Sequence, residues 1–294
     1  MLKYLFLLIA VGIICITIWY YVFYFEKINL REKDVPERIV VSLTTSPKRI
    51  SKIQPVIECI EKQTIKPKYI CLNLPRVYKR DNTTFAEPLP DFIANNPFVY
   101  VNWCEDIGPA TKVIPTAQVE RDPDTLILSI DDDTYYPPML IETFLQFSRW
   151  YPDAVITGTS RMKDYRYVNG HYGTYVQLLE GFSGVLYKQR FLSGIDLYFL
   201  KERSCYLGDD FFLSNEILKQ NIPIVMIGRR IEAINKIRQL DYGFQTDALH
   251  RTNKGNNDNY KACAKILDRH GQLYVTYYND WEALFQYLLL YSGW

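Results

Sequence analysis

The sequence predicts an α/β fold, a mainly parallel sheet with helices on both faces, preceded by one N-terminal transmembrane helix. Three observations predict it. An uncharged run, LFLLIAVGIICITIWYYVFYF, fills residues 5–25. From Arg38 onward, short β-branched runs alternate with amphipathic helical runs, the pattern of parallel strands joined by crossover helices. The most apolar of these strands, Thr125–Ile130, leads straight into Asp131-Asp132-Asp133.

At about 1.5 Å per helical residue, the apolar run is long enough to cross a hydrocarbon core of about 30 Å. Trp19, Tyr20, Tyr21 and Tyr24 close it, and amphipathic rings favour the membrane interface. A cleaved leader would be shorter and end in small residues, so the run reads as an uncleaved signal-anchor in a single-pass membrane protein. Residues 1–25 are then the anchor, 26–37 a charged stem, and 38–294 one domain. The side of the membrane stays open. Lys27, Arg31 and Lys33 outnumber Lys3 and point to the cytoplasm, whereas the sequon at Asn82 suits the opposite side.

The remaining roughly 260 residues suit one large domain. Hydrophobic residues make up 48% and charged residues 23%, which excludes a disordered chain. The net charge is +1, so no basic nucleic-acid surface is expected. Of six cysteines, Cys15 lies in the apolar run. Cys59, Cys71, Cys104, Cys205 and Cys263 form no metal-like spacing and are expected as mostly reduced, buried thiols.

Along the domain, Arg38–Leu43 reads as the first strand and TTSPKR as the turn after it. Ile53, Val56, Ile57 and Ile60 share one helical face, with Ser51 as expected N-cap and Pro55 in the first turn. Tyr69–Leu74 and Phe98–Val101 are further strands. Pro137-Pro138 open a helix that stops before Pro152, and Ala154–Gly158 is a fifth strand. Gly184–Tyr187, a helix over Phe211–Lys219 and a strand over Ile222–Ile227 complete the pattern.

Ligands bind beyond the carboxyl ends of strands in such sheets, where Asp131, Asp132 and Asp133 lie. Adjacent carboxylates repel, and a hard divalent cation bridging a diphosphate would compensate them. The haloacid-dehalogenase phosphatases also carry an Asp-x-Asp after a strand, but they want Thr or Val where this chain has Tyr135. A second acidic pair, Asp209-Asp210, precedes a helical apolar run. One Asp would suffice as a cap, so the pair also suits acid–base work.

In their order, RIVVSLTT, the helix ending at Gln63-Thr64, the strand–IDDD–Pro array, GFSGVLYKQRFL and GDDFFLSNEIL resemble the GT-A glycosyltransferases, closest to the family-2-like group. The resemblance covers Arg38 to about Ile227. It implies a nucleotide-diphosphate sugar donor, a glycan or other hydroxyl acceptor, and Mn2+ or Mg2+. It assigns Thr44, Thr45, Ser46 and Arg49 to the nucleotide base and ribose, and Asp106 and Lys112 to the nucleotide or its diphosphate. It places Asp131 at the ribose or metal, Asp132 among the nucleotide-sugar-binding residues, and Asp133 on the metal. Asp210 would be the general base, although Asp209 replaces the usual Glu and leaves open which Asp deprotonates. His250 is the candidate third metal ligand; His171 and His270 are placed less well.

The Tyr-rich segment Arg161–Gly181 reads as an acceptor-side loop, and 252–258, with Arg251 and Lys254 near phosphate, as a lid. Two other classes stay in view. A nucleotidyltransferase would carry a Gly-rich loop where TTSPKR has none. A membrane-tethered glycan-binding protein would not need two acidic pairs.

Overall fold

A computed structural model describes residues 11–18, 38–160, 173–244 and 257–275. The chain divides into two units, Met1–Pro36 and Glu37–Trp294. In the first, residues 11–18 are helical, with Ile13, Ile16 and Ile18 exposed. Among the described residues no helix is long and apolar enough to cross a membrane. The rest of the expected anchor and the stem, residues 26–37, lie outside the described residues.

Among the described residues the second unit has ten strands: β1 Ile39–Thr44, β2 Ile70–Pro75, β3 Val99–Cys104, β4 Leu126–Ser129, β5 Thr134–Tyr135, β6 Val155–Thr157, β7 Thr174–Val176, β8 Val185–Lys188, β9 Ile224–Met226 and β10 Arg238–Gln239. Eight form one sheet in the order β3-β2-β1-β4-β8-β6-β9-β7. The β3-β2-β1-β4 half is parallel throughout, as is β6 with β9. β8 runs antiparallel to both β4 and β6, and β7 to β9. The sheet is therefore mixed, with four parallel pairings against three. Apolar strand composition could not show this, because strands buried on both faces look alike in either direction.

β4 is buried along its whole length, and alternate residues face different layers. On one face Ile127, Val155, Val185, Tyr187 and Ile224 join a core with the helices Ile114–Val119 and Asp209–Lys219 and with residues of Asn257–Arg269. Leu128, Ile156, Leu186 and Val225 alternate with these and are also buried. Phe144 of the helix Leu140–Trp150 packs near Gly184, whose φ of +84° a side chain would strain.

The helix Gln54–Glu61 buries Val56, Ile57 and Ile60 as its periodicity predicts, and Pro55 sits in its first turn. Its N-cap is Ile53, with no side-chain cap. The expected cap, Ser51, lies in a separate 3-10 turn, Ile50–Lys52. The Ile53 carbonyl accepts from the N–H of Val56 and Ile57 and so starts the helix.

The cysteine expectation is corrected at one place. Cys205 and Cys263 form a disulfide across 58 positions. Cys59 and Cys71 are free and buried, and Cys104 is partly buried. Sequence spacing hid the pair because the two residues meet only when Asn257–Arg269 packs against the helix Arg203–Leu207. Constraining so long a loop stabilises the fold by about 4 kcal/mol on the chain-entropy account.

Candidate active site

The strand-end loops surround a cavity of about 730 Å³. Thr44, Thr45, Ser46 and Arg49 reach it from the end of β1; Asp131, Asp132 and Asp133 follow β4; Asp209 and Asp210 open the helix Asp209–Lys219. Asp106 and Lys112 line it as well. The structure thus brings together every site residue read from the sequence except His250, which lies outside the described residues with His171, Arg251 and Lys254.

Lys112 ends a 3-10 turn, Ala110–Lys112, and is only 7% exposed. Its Nζ lies 3.0 Å from Asp131 Oδ1, 3.1 Å from Asp209 Oδ2 and 3.8 Å from Asp210 Oδ1. Asp209 Oδ2 is an ion-pair neighbour by distance, but it is buried without a hydrogen bond. A polar network supports Lys112 from below. Ser42 Oγ donates to its carbonyl at 2.5 Å, Asn73 Nδ2 donates to Ser42 Oγ and Thr116 Oγ1, and Asn102 Nδ2 donates to Asn73 Oδ1. These donors come from β1, β2 and β3, so the parallel half of the sheet fixes the backbone from which the Lys112 side chain extends.

One cation faces three carboxylates here. Burial pulls the Lys112 ammonium down, but the charges of Asp131, Asp209 and Asp210 outweigh it and hold the ammonium well above its usual range. Burial pushes Asp209 up against the opposing pull of Lys112. Asp210 is pushed up to about 7, first by burial and then by the charge of Asp209. A helix N-terminus alone would favour the ionised form, so desolvation and like charge win over the dipole.

Asp210 is nonetheless held in place. Gly181 N–H donates to its Oδ1 at 3.1 Å, and Tyr260 Oη donates to its Oδ2 at 3.2 Å. A Cβ at Gly181 would fall onto Lys112 Nζ, so a larger residue there would displace the ammonium.

A second cluster lies at the end of β1. Arg49 Nε donates to Asp132 Oδ2 at 3.0 Å, one terminal nitrogen pairs with Asp132 Oδ1, and the other lies 3.3 Å from Asp133 Oδ2. Thr45 Oγ1 donates to Asp132 Oδ2 at 2.5 Å, and Tyr242 Oη donates to the Asp132 carbonyl. Gln239 of β10 approaches Asp133 at 3.4 Å. Asp132 is thereby turned inward. Asp131, with 29% of its side chain exposed, is the most open of the three.

Asp106 is 2% exposed and its oxygens are taken up internally. They accept from the backbone N–H of Lys79 and Gly108 and from Tyr206 Oη. It shapes the cavity wall rather than offering a free carboxylate. Thr44 is similarly tied, donating to the Asn73 carbonyl.

Sequence reading missed several wall residues. Arg80, Arg203, Arg229 and Arg238 line the cavity, as do Tyr206 and Tyr260. None belongs to a motif, and only tertiary packing brings them together. Among the described residues no group of three or more His, Cys, Asp or Glu side chains is arranged to hold a metal ion. Asp131 and Asp133 supply hard oxygen donors at the cavity, the chemistry that suits Mg2+ or Mn2+.

No protein-family model and no curated protein matches the sequence. Among solved structures, a crystal structure of S. aureus TarS 1-349 is similar at 13% identity, covering 65% of this chain and 58% of that one, with a TM-score of 0.44. A second crystal structure of S. aureus TarS is similar at 14% identity over 65% of this chain and 35% of that one, with a TM-score of 0.44. The matches therefore span less than two thirds of either TarS chain.

Proposed function

We propose that this protein is a glycosyltransferase that moves a sugar from a nucleotide-diphosphate donor to an acceptor hydroxyl. The observation that carries the reading is the joint placement of Asp131, Asp209 and Asp210 around Lys112 at the strand ends, inside a cavity large enough for a nucleotide sugar. The arginines along its wall suit a diphosphate, which Arg pairs with in bidentate fashion.

Asp210 is the acceptor base. Its side chain is 16% exposed, whereas that of Asp209 is 6% exposed and faces Lys112. A carboxylate with its proton affinity raised toward neutrality is matched to taking a proton from a hydroxyl near pH 7. The acceptor oxygen, once deprotonated, attacks the anomeric carbon as the bond to the nucleotide diphosphate breaks. A single displacement of this kind inverts configuration. Lys112 keeps Asp209 and Asp131 from repelling the incoming diphosphate.

Asp131 and Asp133 would hold Mn2+ or Mg2+, with His250 as the expected third ligand. Such an ion supplies Lewis-acid stabilisation of the leaving diphosphate. Anchoring through residues 1–25 belongs to the same reading and rests on the sequence.

The test is a donor screen with the purified full chain in detergent, using UDP-glucose, UDP-galactose, UDP-N-acetylglucosamine and GDP-mannose. Released nucleotide diphosphate is measured with and without EDTA. Cleavage of at least one donor is expected, suppressed by EDTA and restored by Mn2+. Failure to bind or cleave any of the four donors would sink the transferase reading. EDTA-insensitive cleavage would remove only the metal. Proton NMR of the first-formed product decides the stereochemistry: retention of the donor's anomeric configuration would overturn Asp210 as the base of a single displacement.

A further inference from the structure

We propose that Tyr260 is a positioning residue for Asp210, and that the Cys205–Cys263 disulfide holds it there. The proposal rests on the reading of Asp210 as base. The helix Asn257–Arg269 carries both residues, one turn apart and so on one side. Tyr260 is 4% exposed. Its hydroxyl donates to Asp210 Oδ2 at 3.2 Å, and its ring stacks on Phe211, the next residue in the chain, at 5.9 Å and 30°. Gly208 leaves room for that ring, since a Cβ there would come within 3.1 Å of it.

The disulfide crosses from the same helix to Arg203–Leu207, which leads through Gly208 directly into Asp209-Asp210. Both cysteines are fully buried. Past the helix, Asn215 accepts from the Tyr274 N–H at 2.7 Å and donates to the Gln272 carbonyl at 2.9 Å. The helix Asn257–Arg269 is thus tied covalently to the short helix that precedes the base, and the residues that follow it are hydrogen-bonded to Asn215 of the base-bearing helix. A buried covalent tie placed one turn from the hydroxyl limits how far that hydroxyl can withdraw from Asp210.

Two oxygens of one carboxylate are held from opposite elements, by Gly181 N–H on Oδ1 and by Tyr260 on Oδ2. Gly181 therefore reports on Asp210. If Tyr260 holds the carboxylate, losing its hydroxyl loosens the Gly181 amide, although the two residues do not bond to each other.

The experiment compares the parent full chain with Tyr260→Phe, the Cys205→Ala/Cys263→Ala pair, and the combination. Tyr260→Phe removes one oxygen and keeps the ring on Phe211. Hydrogen exchange of the peptide containing Gly181 should accelerate both in Tyr260→Phe and in the Cys205→Ala/Cys263→Ala pair. On whichever of the four screened donors the parent cleaves, kcat should fall about tenfold in Tyr260→Phe, the effect of losing one hydrogen bond to a charged group, with donor KM unchanged. The combination should be no worse than the more damaging of the two, because groups acting through one contact are not additive. Parent-like exchange at Gly181 in both variants, or losses that multiply in the combination, would overturn the proposal. If the parent cleaves none of the donors, the base assignment fails instead, and exchange at Gly181 still decides whether Tyr260 holds Asp210.

Discussion

Two charge clusters sit side by side at the mouth of the sheet, and they are built differently. Around Arg49, one guanidinium meets Asp132 and Asp133, and Thr45, Tyr242 and Gln239 supply further donors. Around Lys112, one ammonium meets three carboxylates, and Asp209 Oδ2 is buried without a hydrogen bond. In the first cluster Asp132 is nearly satisfied, and its pairing with Arg49 reads as a buttress for the loop after β4. The second is short of positive charge, with one ammonium for three carboxylates. Stability alone does not favour such an arrangement, and buried like charge gathers where a ligand is to complete it.

The largest effect expected on this contrast is chemical. Asp210→Asn should lower transfer by about 10²–10⁴-fold, the usual contribution of a positioned base, while donor affinity by calorimetry stays near the parent's. An equal loss of donor affinity would move Asp210 from base to binding residue and blur the distinction between the clusters.

Next is Lys112→Met. It leaves three carboxylates facing one another without a cation, and removing one partner of a buried pair costs about 3–5 kcal/mol. Urea unfolding at pH 8 should show that loss. It should shrink toward pH 5, where the carboxylates take up protons in place of the ammonium. A loss that does not vary with pH would mean that packing of the lysine stem, not its charge, holds the cluster.

The third effect is a pH dependence with a definite sign. Asp210 is raised to about 7 in the folded protein, against about 3.9 in an unfolded chain. Between those values the folded state binds the extra proton, so this group makes stability fall as pH rises from about 4 to about 7. Asp210→Asn should remove that fall. Above pH 7 the variant should melt higher than the parent, with a stability gain of at most about 4 kcal/mol for a pKa raised by about 3, and at pH 4 the two should converge. Catalysis runs the other way, since the base must be ionised: kcat should rise with pH through about 7.

The smallest effect belongs to the buttress. Thr45→Val removes one donor from Asp132 while Arg49 remains, and should cost about 1–2 kcal/mol of stability. Thermal melts and kcat measured together would sharpen the comparison. A loss of kcat larger than the loss of stability explains would place the Arg49 cluster in the chemistry as well.

Much of the fold was legible because it depends on local pattern. The apolar run of β4, the β-branched residues of β1 and the helical spacing of Val56, Ile57 and Ile60 each fix an element from a few neighbours in sequence. The acidic residues of the site were legible for the same reason: Asp131-Asp132-Asp133 follows a buried strand, and Asp209-Asp210 opens an apolar helix. Whether each becomes base, ligand or buttress was not legible. Asp132 and Asp133 differ from Asp131 only in which cation they meet, and Arg49 and Lys112 come from other loops.

Sequence by itself determined the succession of strands and helices, the uncharged N-terminal run and the positions of the carboxylates, since these follow from periodicity and residue type along the chain. Tertiary structure alone decided the antiparallel setting of β8, the Cys205–Cys263 pairing, the arginine-lined wall and the place of Tyr260 beside Asp210. Each of these depends on residues far apart in the chain meeting at one point. Proton affinity belongs to the same class: the helix N-terminus that favours an ionised Asp210 is visible in sequence, but the burial and the neighbouring Asp209 charge that overrule it take effect only once the chain has packed around them.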